Sequence, residues 1–468
     1  MDARTESSPA PTRPASRHLD GADAAALAAA GVRYCAASYV DMHGISKAKL
    51  VPIAHHADML GGSELFTGAA LEGVPQSVHE EEVAAVPDPA SCVVLPWSPD
   101  IAWFASDLRF QGAPFAACSR GILKRQIARA AKLGLRLNLG MEAEFFVFRA
   151  TEEGGYAPLS TRPHLAKPCY DLSRLLDNFG WMDELVQAMN GLGWDVYSFD
   201  HEDAIGQFEI DFRYADALTM ADNYVFFRMM AGEMTRRHGA FASFMPKPFA
   251  DRTGSGAHFN LSMADLASGK NLFNPGDGAG DDPYGCGLSR LGYRFVAGVL
   301  SHLRAISAVV APTVNSYKRL IKHGSASGFT WAPVLCCYGN NNRTNALRIP
   351  LAGGRVELRA ADSACNPYLG AAMVLAAGLE GIERALDPGA PNTENMYLKT
   401  AEEVAALGIR GLPETLGEAI DEFAADPLAA EVFGPAMRAA WISHKREEWT
   451  SYLHHVSDWE KERYLRFF

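Results

Sequence analysis

Residues 140–148 read Gly-Met-Glu-Ala-Glu-Phe-Phe-Val-Phe. The run reads as a strand, and a strand turns residues two apart to the same face, so Glu142 and Glu144 point to one side of a sheet. Two carboxylates there repel unless the face is open to water or a cation sits between them. Residues 201–209, His-Glu-Asp-Ala-Ile-Gly-Gln-Phe-Glu, add acids on either side of a turn-like glycine. Strand-like runs at 135–139, 144–148 and 207–212 alternate with long stretches of helical spacing at 220–238, 288–310 and 368–386. This mixture, with polar and apolar residues alternating along the strand runs, predicts an α+β domain built on antiparallel strands.

Upstream, residues 119–133 carry apolar side chains at helical spacing and stop before Gly134, where the larger domain begins. Residues 22–30 read as a short helix closed by Gly31, and 32–40 and 46–51 flank a turn at Asp41-Met42-His43-Gly44, an early hairpin. Proline-bounded short strands follow at 87–97. The expected organisation is a leader over residues 1–20, a small mixed domain over 21–112 and a large domain over 113–468. The tail, 412–468, reads as helical, with Trp441, Trp449, Tyr452, Trp459 and Tyr464 among its charges.

With 48% hydrophobic and 21% charged residues over 468 positions, the chain has the composition of a folded protein with a large core. A net charge of −12 argues against nucleic acid and anionic membranes as partners, since both call for a basic footprint. The eight cysteines show no CxxC or zinc-like spacing, as expected of reduced thiols in a cytoplasmic protein. Residues 1–20 are rich in Pro, Ala, Ser and Thr without an apolar run, so they read as a disordered leader rather than a signal peptide. The apolar stretch 295–312 is interrupted by His302 and Arg304 and reads as a buried helix, not a membrane span.

The acidic segments at 142–144, 202–209 and 355–359, together with His258 after the flexible Gly254-Ser255-Gly256, offer many carboxylates and one imidazole. That donor set suits Mg²⁺ or Mn²⁺ rather than zinc. Arg319, Arg343, Arg348, Arg355 and Arg359 lie close together in sequence, and arginine grips phosphate and carboxylate through paired hydrogen bonds. Divalent metals and arginines are the equipment of phosphoryl transfer. The sequence has neither a GxxxxGK[ST] loop nor a kinase glycine loop, so any nucleotide is held in another way.

GMEAEFFVF (140–148), HEDAIGQFE (201–209), MPKPFADRTGSGAHFNLS (245–262), NSYKRL (315–320), NNRTNALRIP (341–350) and RVELRAADSACNPYL (355–369) stand in the order of known motifs. Through them the chain resembles the glutamine synthetase superfamily over nearly its whole length. The resemblance implies an N-terminal β-grasp domain and a large catalytic domain with a curved antiparallel sheet and surrounding helices. It also implies a dodecamer of two stacked hexameric rings, with each active site between neighbouring subunits. Carried over by motif, Glu144, Glu202 and Glu209 hold the first metal and Glu142, His258 and Glu357 the second. Gly254, Arg319 and Arg359 recognise glutamate, Arg343 and Arg348 neutralise the transferring phosphoryl group, and Asn260, Ser262 and Arg355 lie at the nucleotide. The implied reaction has ATP phosphorylate the γ-carboxylate of glutamate, after which an amine displaces phosphate.

Two departures bear on the amine. Ammonia-using members carry an Asp where this chain has Thr67, and a flap Glu where it has Trp331. Ammonium is strongly hydrated, and holding it without carboxylates is costly. An alkylammonium is less hydrated and gains about 0.5–2 kcal/mol over an aromatic face. Trp331, Phe329 and Tyr338 are candidates for that face, and Glu82, Asp171 and Asp177 for the acid that takes the amine's proton. The pattern resembles the branch of γ-glutamylmethylamide synthetases and rhizobial type III glutamine synthetases. Glutamate, ATP and methylamine are therefore the expected substrates, with ammonia as the alternative. A polyamine ligase would want more acids along its channel, and a non-enzymatic member would have lost metal ligands. Tyr397 stands where some members are adenylylated, but the following Lys399-Thr400-Ala401 departs from their pattern.

Overall fold

The computed structural model describes residues 20–276, 278 and 280–468, so all but the last residue of the expected leader lies outside the described residues. The first half of the hairpin forms as the sequence suggests. Tyr34–Val40 pairs antiparallel with Ser46–Pro52, and the turn is held by the Asp41 carboxylate, which accepts from the His43 and Ile45 amides at 2.9 Å each. Tyr34–Val40 then pairs in parallel with Ser98–Phe110, a 13-residue strand whose length the sequence did not announce. Val83–Pro87 and Glu64–Phe66 continue a seven-stranded sheet. One face of this sheet covers its own small cores, around Leu27, Val51 and Phe104 and around Tyr39, Phe66 and Leu108.

The other face joins the main core through Met42 and Trp103. Polar fastenings reinforce the join. Asn366 donates to the Asp41 carbonyl at 2.9 Å, and the buried Arg120 binds Asp88, Asp107 and Asp222 at 2.8–3.0 Å. A guanidinium shared among three carboxylates keeps its charge compensated out of water.

Beyond residue 118 the strands build two further sheets. One is five-stranded, ordered Tyr156–Pro158, Ala143–Ala150, Gln207–Phe212, Val196–His201, with Phe241–Ser243 also on Ala143–Ala150. The other is six-stranded and runs from Ala215–Asp216 through Leu135–Met141, Phe259–Asp265 and Val356–Leu358 to Leu347–Ile349 and Tyr338–Asn340. All pairs in both are antiparallel except the last. The α+β class read from the alternation therefore holds, with the antiparallel strands divided between two sheets.

Three long helices cover them: Ala217–Arg237, Arg290–Val310 and Pro367–Glu383. Each starts at a side-chain cap, Asp216, Ser289 and Asn366, which satisfies amides that the first turn leaves free. The last two pack backbone to backbone. A Cβ at Gly298 would stand 2.0 Å from the Ala377 carbonyl, and one at Gly381 2.1 Å from the Arg294 carbonyl. Arg290–Val310 is long and apolar enough to cross a bilayer, but it is mostly buried inside the protein. The tail forms Leu416–Ala425, Pro427–His454 and Asp458–Tyr464, the middle one broken by Gly434 at φ 69°. All eight cysteines are free thiols.

Candidate active site

These last two sheets meet where Leu135–Met141 ends and Ala143–Ala150 begins, and Glu142 occupies the break. Glu142 and Glu144 are thus not neighbours within one strand, as their spacing suggested. Both amides still bond along one opposing segment, Glu142 to the His258 carbonyl at 3.1 Å and Glu144 to that of Gly256 at 3.2 Å. The break sends the two carboxylates to different companions.

Glu144 joins Glu202 and Glu209, with one oxygen from each within 4.8 Å of the others. Strand register does this: Glu209 stands directly opposite Glu144, and Glu202 follows the strand whose Asp200 faces Glu209. Like charges in such positions destabilise a sheet. Burial, reinforced by the Glu202 charge, pushes the Glu144 carboxyl up to about 8. Burial, with Asp200 and Asp203, pushes Glu202 up to about 7, and Glu209 is raised by burial and by Glu144 and Glu202. Glu144 receives the Gly256 amide at 2.8 Å and the Gln207 amide nitrogen at 3.2 Å, and His258 Nε2 lies 3.7 Å from its Oε1. A pocket of crowded carboxylate oxygens whose burial and mutual repulsion outweigh the nearby Arg319 and Arg359 charges fits a hard divalent cation.

Glu142, His258 and Glu357 form the second set, again within 4.8 Å. His258 Nδ1 lies 2.8 Å from Glu142 Oε2, and Asn260 donates to Glu142 Oε1 at 2.8 Å. Glu357 is fully buried between Arg348, at 2.5 Å, and Arg359. The electrostatics here run the other way. Burial favours a protonated Glu142, yet the His258 and Asn260 hydrogen bonds and the Arg359 charge bring it down to about 2. Arg359 likewise overcomes burial at Glu357, and burial with Arg359 lowers His258, leaving the neutral imidazole that ligates metals.

Arg319 and Arg359 are buried beside these acids, and Arg319 donates to the Ala360 and Arg359 carbonyls at 3.3 and 3.1 Å. The Nε atoms of Arg319, Arg348 and Arg359 are buried without a partner among the described residues. Gly254 lies against Arg319, and a Cβ there would be 2.2 Å from the Pro246 carbonyl. Asn260, Ser262 and Arg355 line a cavity of about 540 Å³ that also reaches Glu142, with Tyr197, Asp211 and Asn274 around it. Arg343 is exposed and shares a second cavity, about 520 Å³, with Phe329, Trp331 and Tyr397. A further cavity of about 750 Å³ lies between the N-terminal sheet and the helices near Trp194 and Phe226, and none of the clustered glutamates reaches it.

The residues suggested for the amine are scattered. Phe329 and Trp331 face each other at 5.3 Å, both partly exposed, in a loop without helix or strand. Tyr338 is buried in the core with its hydroxyl on the Gly389 carbonyl, so it is no part of that face. Asp177 is clasped by Arg162 at 2.7 and 2.8 Å and by Ser160 at 2.8 Å, which hold its carboxyl down at about 2 and make it a weak base. Asp171 caps the helix Leu172–Asp177. Thr67 and Glu82 are exposed on the N-terminal part, and none of the described hydrogen bonds or ion pairs links them to the clusters of the same chain.

The match of the family model "Glutamine synthetase, catalytic domain" over residues 116–464 decides the kinship. The chain belongs to the glutamine synthetase family. Among its relatives, a glutamate–methylamine ligase of Methyloversatilis universalis is 40% identical over 93% of this chain and 97% of its own. A glutamine synthetase of Rhizobium meliloti is 39% identical over 93% and 97%. The ADP complex of GmaS superposes with a TM-score of 0.86 at 41% identity, covering 94% of this chain and 99% of that one. GmaS without ligand gives 0.85 at 41%, over 95% and 99%.

Sequence reasoning missed three residues whose hydrogen bonds brace the candidate site. Gln207 bridges Glu144 to the Gly254 carbonyl at 3.2 and 3.1 Å. Ser363 donates to the Glu144 and Gly256 carbonyls, at 2.6 and 2.8 Å. Asp203 receives the Ser327 hydroxyl at 2.5 Å. Only Gln207 left a signal, since it stands two residues from Glu209 and shares its strand face.

Proposed function

We propose that this chain is an ATP-dependent ligase that joins methylamine to the γ-carboxyl of glutamate through γ-glutamyl phosphate. Family membership carries the reaction class, ATP-dependent carbon–nitrogen ligation. The observation that carries the amine is the aromatic pair Phe329–Trp331 in the loop where ammonia-using members place an acid, on the same cavity as Arg343. The relative named for methylamine supports the same choice.

A carboxylate resists amines until one oxygen becomes a good leaving group, and phosphorylation supplies that. The donor sets around Glu144 and Glu142 suit two divalent ions, Mg²⁺ or Mn²⁺, which would draw the reacting carboxylate and the nucleotide phosphates together. Arg319 and Arg359, with Nε donors to spare beside Gly254, hold the glutamate substrate. Glu357 fixes Arg348 and Arg359 in place, and Arg343 reaches the transferring phosphoryl from the open side. Asn260, Ser262 and Arg355 line the nucleotide's cavity. Methylammonium packs its methyl group on Trp331 and Phe329 and gives up one proton to water, the freed lone pair attacks the acyl phosphate carbon, the carbon–oxygen bond to phosphate breaks, and the departing phosphate takes the second amine proton.

None of the described hydrogen bonds or ion pairs joins Thr67 or Glu82 to the clusters of the same chain, in keeping with a dodecamer of two hexameric rings whose sites form between subunits in the cytoplasm. The test is phosphate release by purified protein with ATP, Mg²⁺ and glutamate, comparing methylammonium with ammonium at equal concentration. A rate with ammonium equal to or above that with methylammonium favours the alternative, a glutamine synthetase.

A further inference from the structure

Among the described residues, a polar link ties the aromatic loop to the first carboxylate cluster. Residues 321–334 hold neither helix nor strand. The far end of the aromatic stretch is fixed by Arg359, which donates to the Trp331 carbonyl at 3.0 Å, and by the Tyr397 hydroxyl on the Ala332 carbonyl at 2.6 Å. Nearer its start, the Ala326 amide reaches the Asp251 carbonyl at 2.7 Å. Between them, the buried Ser327 donates its hydroxyl to Asp203 Oδ2 at 2.5 Å. Asp203 is the residue after Glu202, and its own amide donates to Glu202 Oε2 at 2.9 Å. Ser325 Oγ supports Ser327 Oγ at 2.8 Å, and the Ser327 hydroxyl also lies 3.3 Å from the Phe329 carbonyl.

We propose that the Asp203–Ser327 hydrogen bond is a positioning latch that sets Phe329 and Trp331 over the acyl phosphate, so that it governs amine preference and keeps water out. This rests on the ligase reading above. Two aromatic rings on irregular backbone have no strand ladder to fix them, so their placement depends on such side-chain bonds. With the latch broken, water has a way in: its oxygen bonds to the γ-carbonyl carbon, the carbon–oxygen bond to phosphate breaks, and glutamate and phosphate leave with no amide formed. Misplacing a contact by about 1 Å is enough for large losses in rate.

Ser327→Ala tests this without touching an acid, and Ser327→Thr restores the hydroxyl. With the full-length enzyme, phosphate and amide product are counted separately for methylammonium and ammonium, alongside KM for ATP. Ser327→Ala is expected to lower kcat/KM for methylammonium by about tenfold, to lower that for ammonium far less, and to raise the share of phosphate released without amide. KM for ATP stays put, and Ser327→Thr returns both readouts toward wild type. A variant that loses both amines equally and stays coupled overturns the latch, as does one indistinguishable from wild type. Should Ser327→Ala fail to fold, Asp203→Asn is read by the same two ratios. Should the wild type itself not prefer methylammonium, the amine assignment fails while the latch is still judged by uncoupled phosphate release.

Discussion

The floor of the site and its mouth are built on opposite principles. The floor is strand register: Glu209 faces Glu144, Asn260 faces Glu357, and Arg348 faces Glu357, each pair fixed by backbone ladders. The mouth is a loop over residues 321–334, with Phe329 and Trp331 half-exposed and held by a few side-chain bonds. Ladders place charges within fractions of an ångström, as phosphoryl transfer demands. A loop tolerates substitution, so the choice of amine can change there without disturbing the chemistry below.

The largest effects should come from the groups that do the chemistry, Glu142 on the floor and Arg343 on the open side. Glu142→Ala and Arg343→Ala are each expected to cut turnover by at least about 10²-fold with every amine, measured as phosphate release, and retained activity refutes their roles. Breaking the mouth should instead redistribute activity. Trp331→Ala is expected to cost about tenfold in kcat/KM for methylammonium and much less for ammonium, so equal losses would erase the distinction between the regions.

Within the floor, the two clusters should answer pH differently. Glu144, at about 8, and Glu202, at about 7, have carboxyls raised above the unfolded value near about 4.3. Their protonated forms support the metal-free fold, and that contribution is full below the unfolded value and lost as pH rises through the folded ones. Metal needs the ionised forms, so the thermal shift on adding Mg²⁺ or Mn²⁺ should grow as pH rises through 7 to 8. Glu142, at about 2, and the lowered Glu357 and His258 are ready at lower pH, so the second site should show little such dependence. Titration calorimetry resolves the two, and pH-independent binding at both sites contradicts the contrast. The smallest effect is on stability. Glu209→Gln removes one of the facing charges and should raise the metal-free melting temperature slightly, most at high pH, while abolishing turnover.

The same division explains what could be read in the sequence. The candidate residues of the floor were legible because acids two apart on apolar strands, and acids around a turn-like glycine, are unusual enough to suggest a divalent-metal site, and the fold brings them into two clusters. What the spacing of Glu142 and Glu144 could not show was the break between sheets that parts them, since alternation looks the same across a strand junction. Neutral supports such as Ser363 carry no charge signal. The proton acceptor was not legible, because whether an aspartate is free depends on partners such as Arg162, and only folding supplies those. Tyr338 looked like part of an aromatic mouth for a similar reason, since aromatic residues in sequence do not declare which of them are core.

The most direct test of the central claim is the rate of phosphate release with ATP, Mg²⁺ and glutamate under equal concentrations of methylammonium and ammonium, each confirmed by product mass. Faster release with methylammonium, accompanied by γ-glutamylmethylamide, is the predicted result. Equal or faster release with ammonium, accompanied by glutamine, would contradict it.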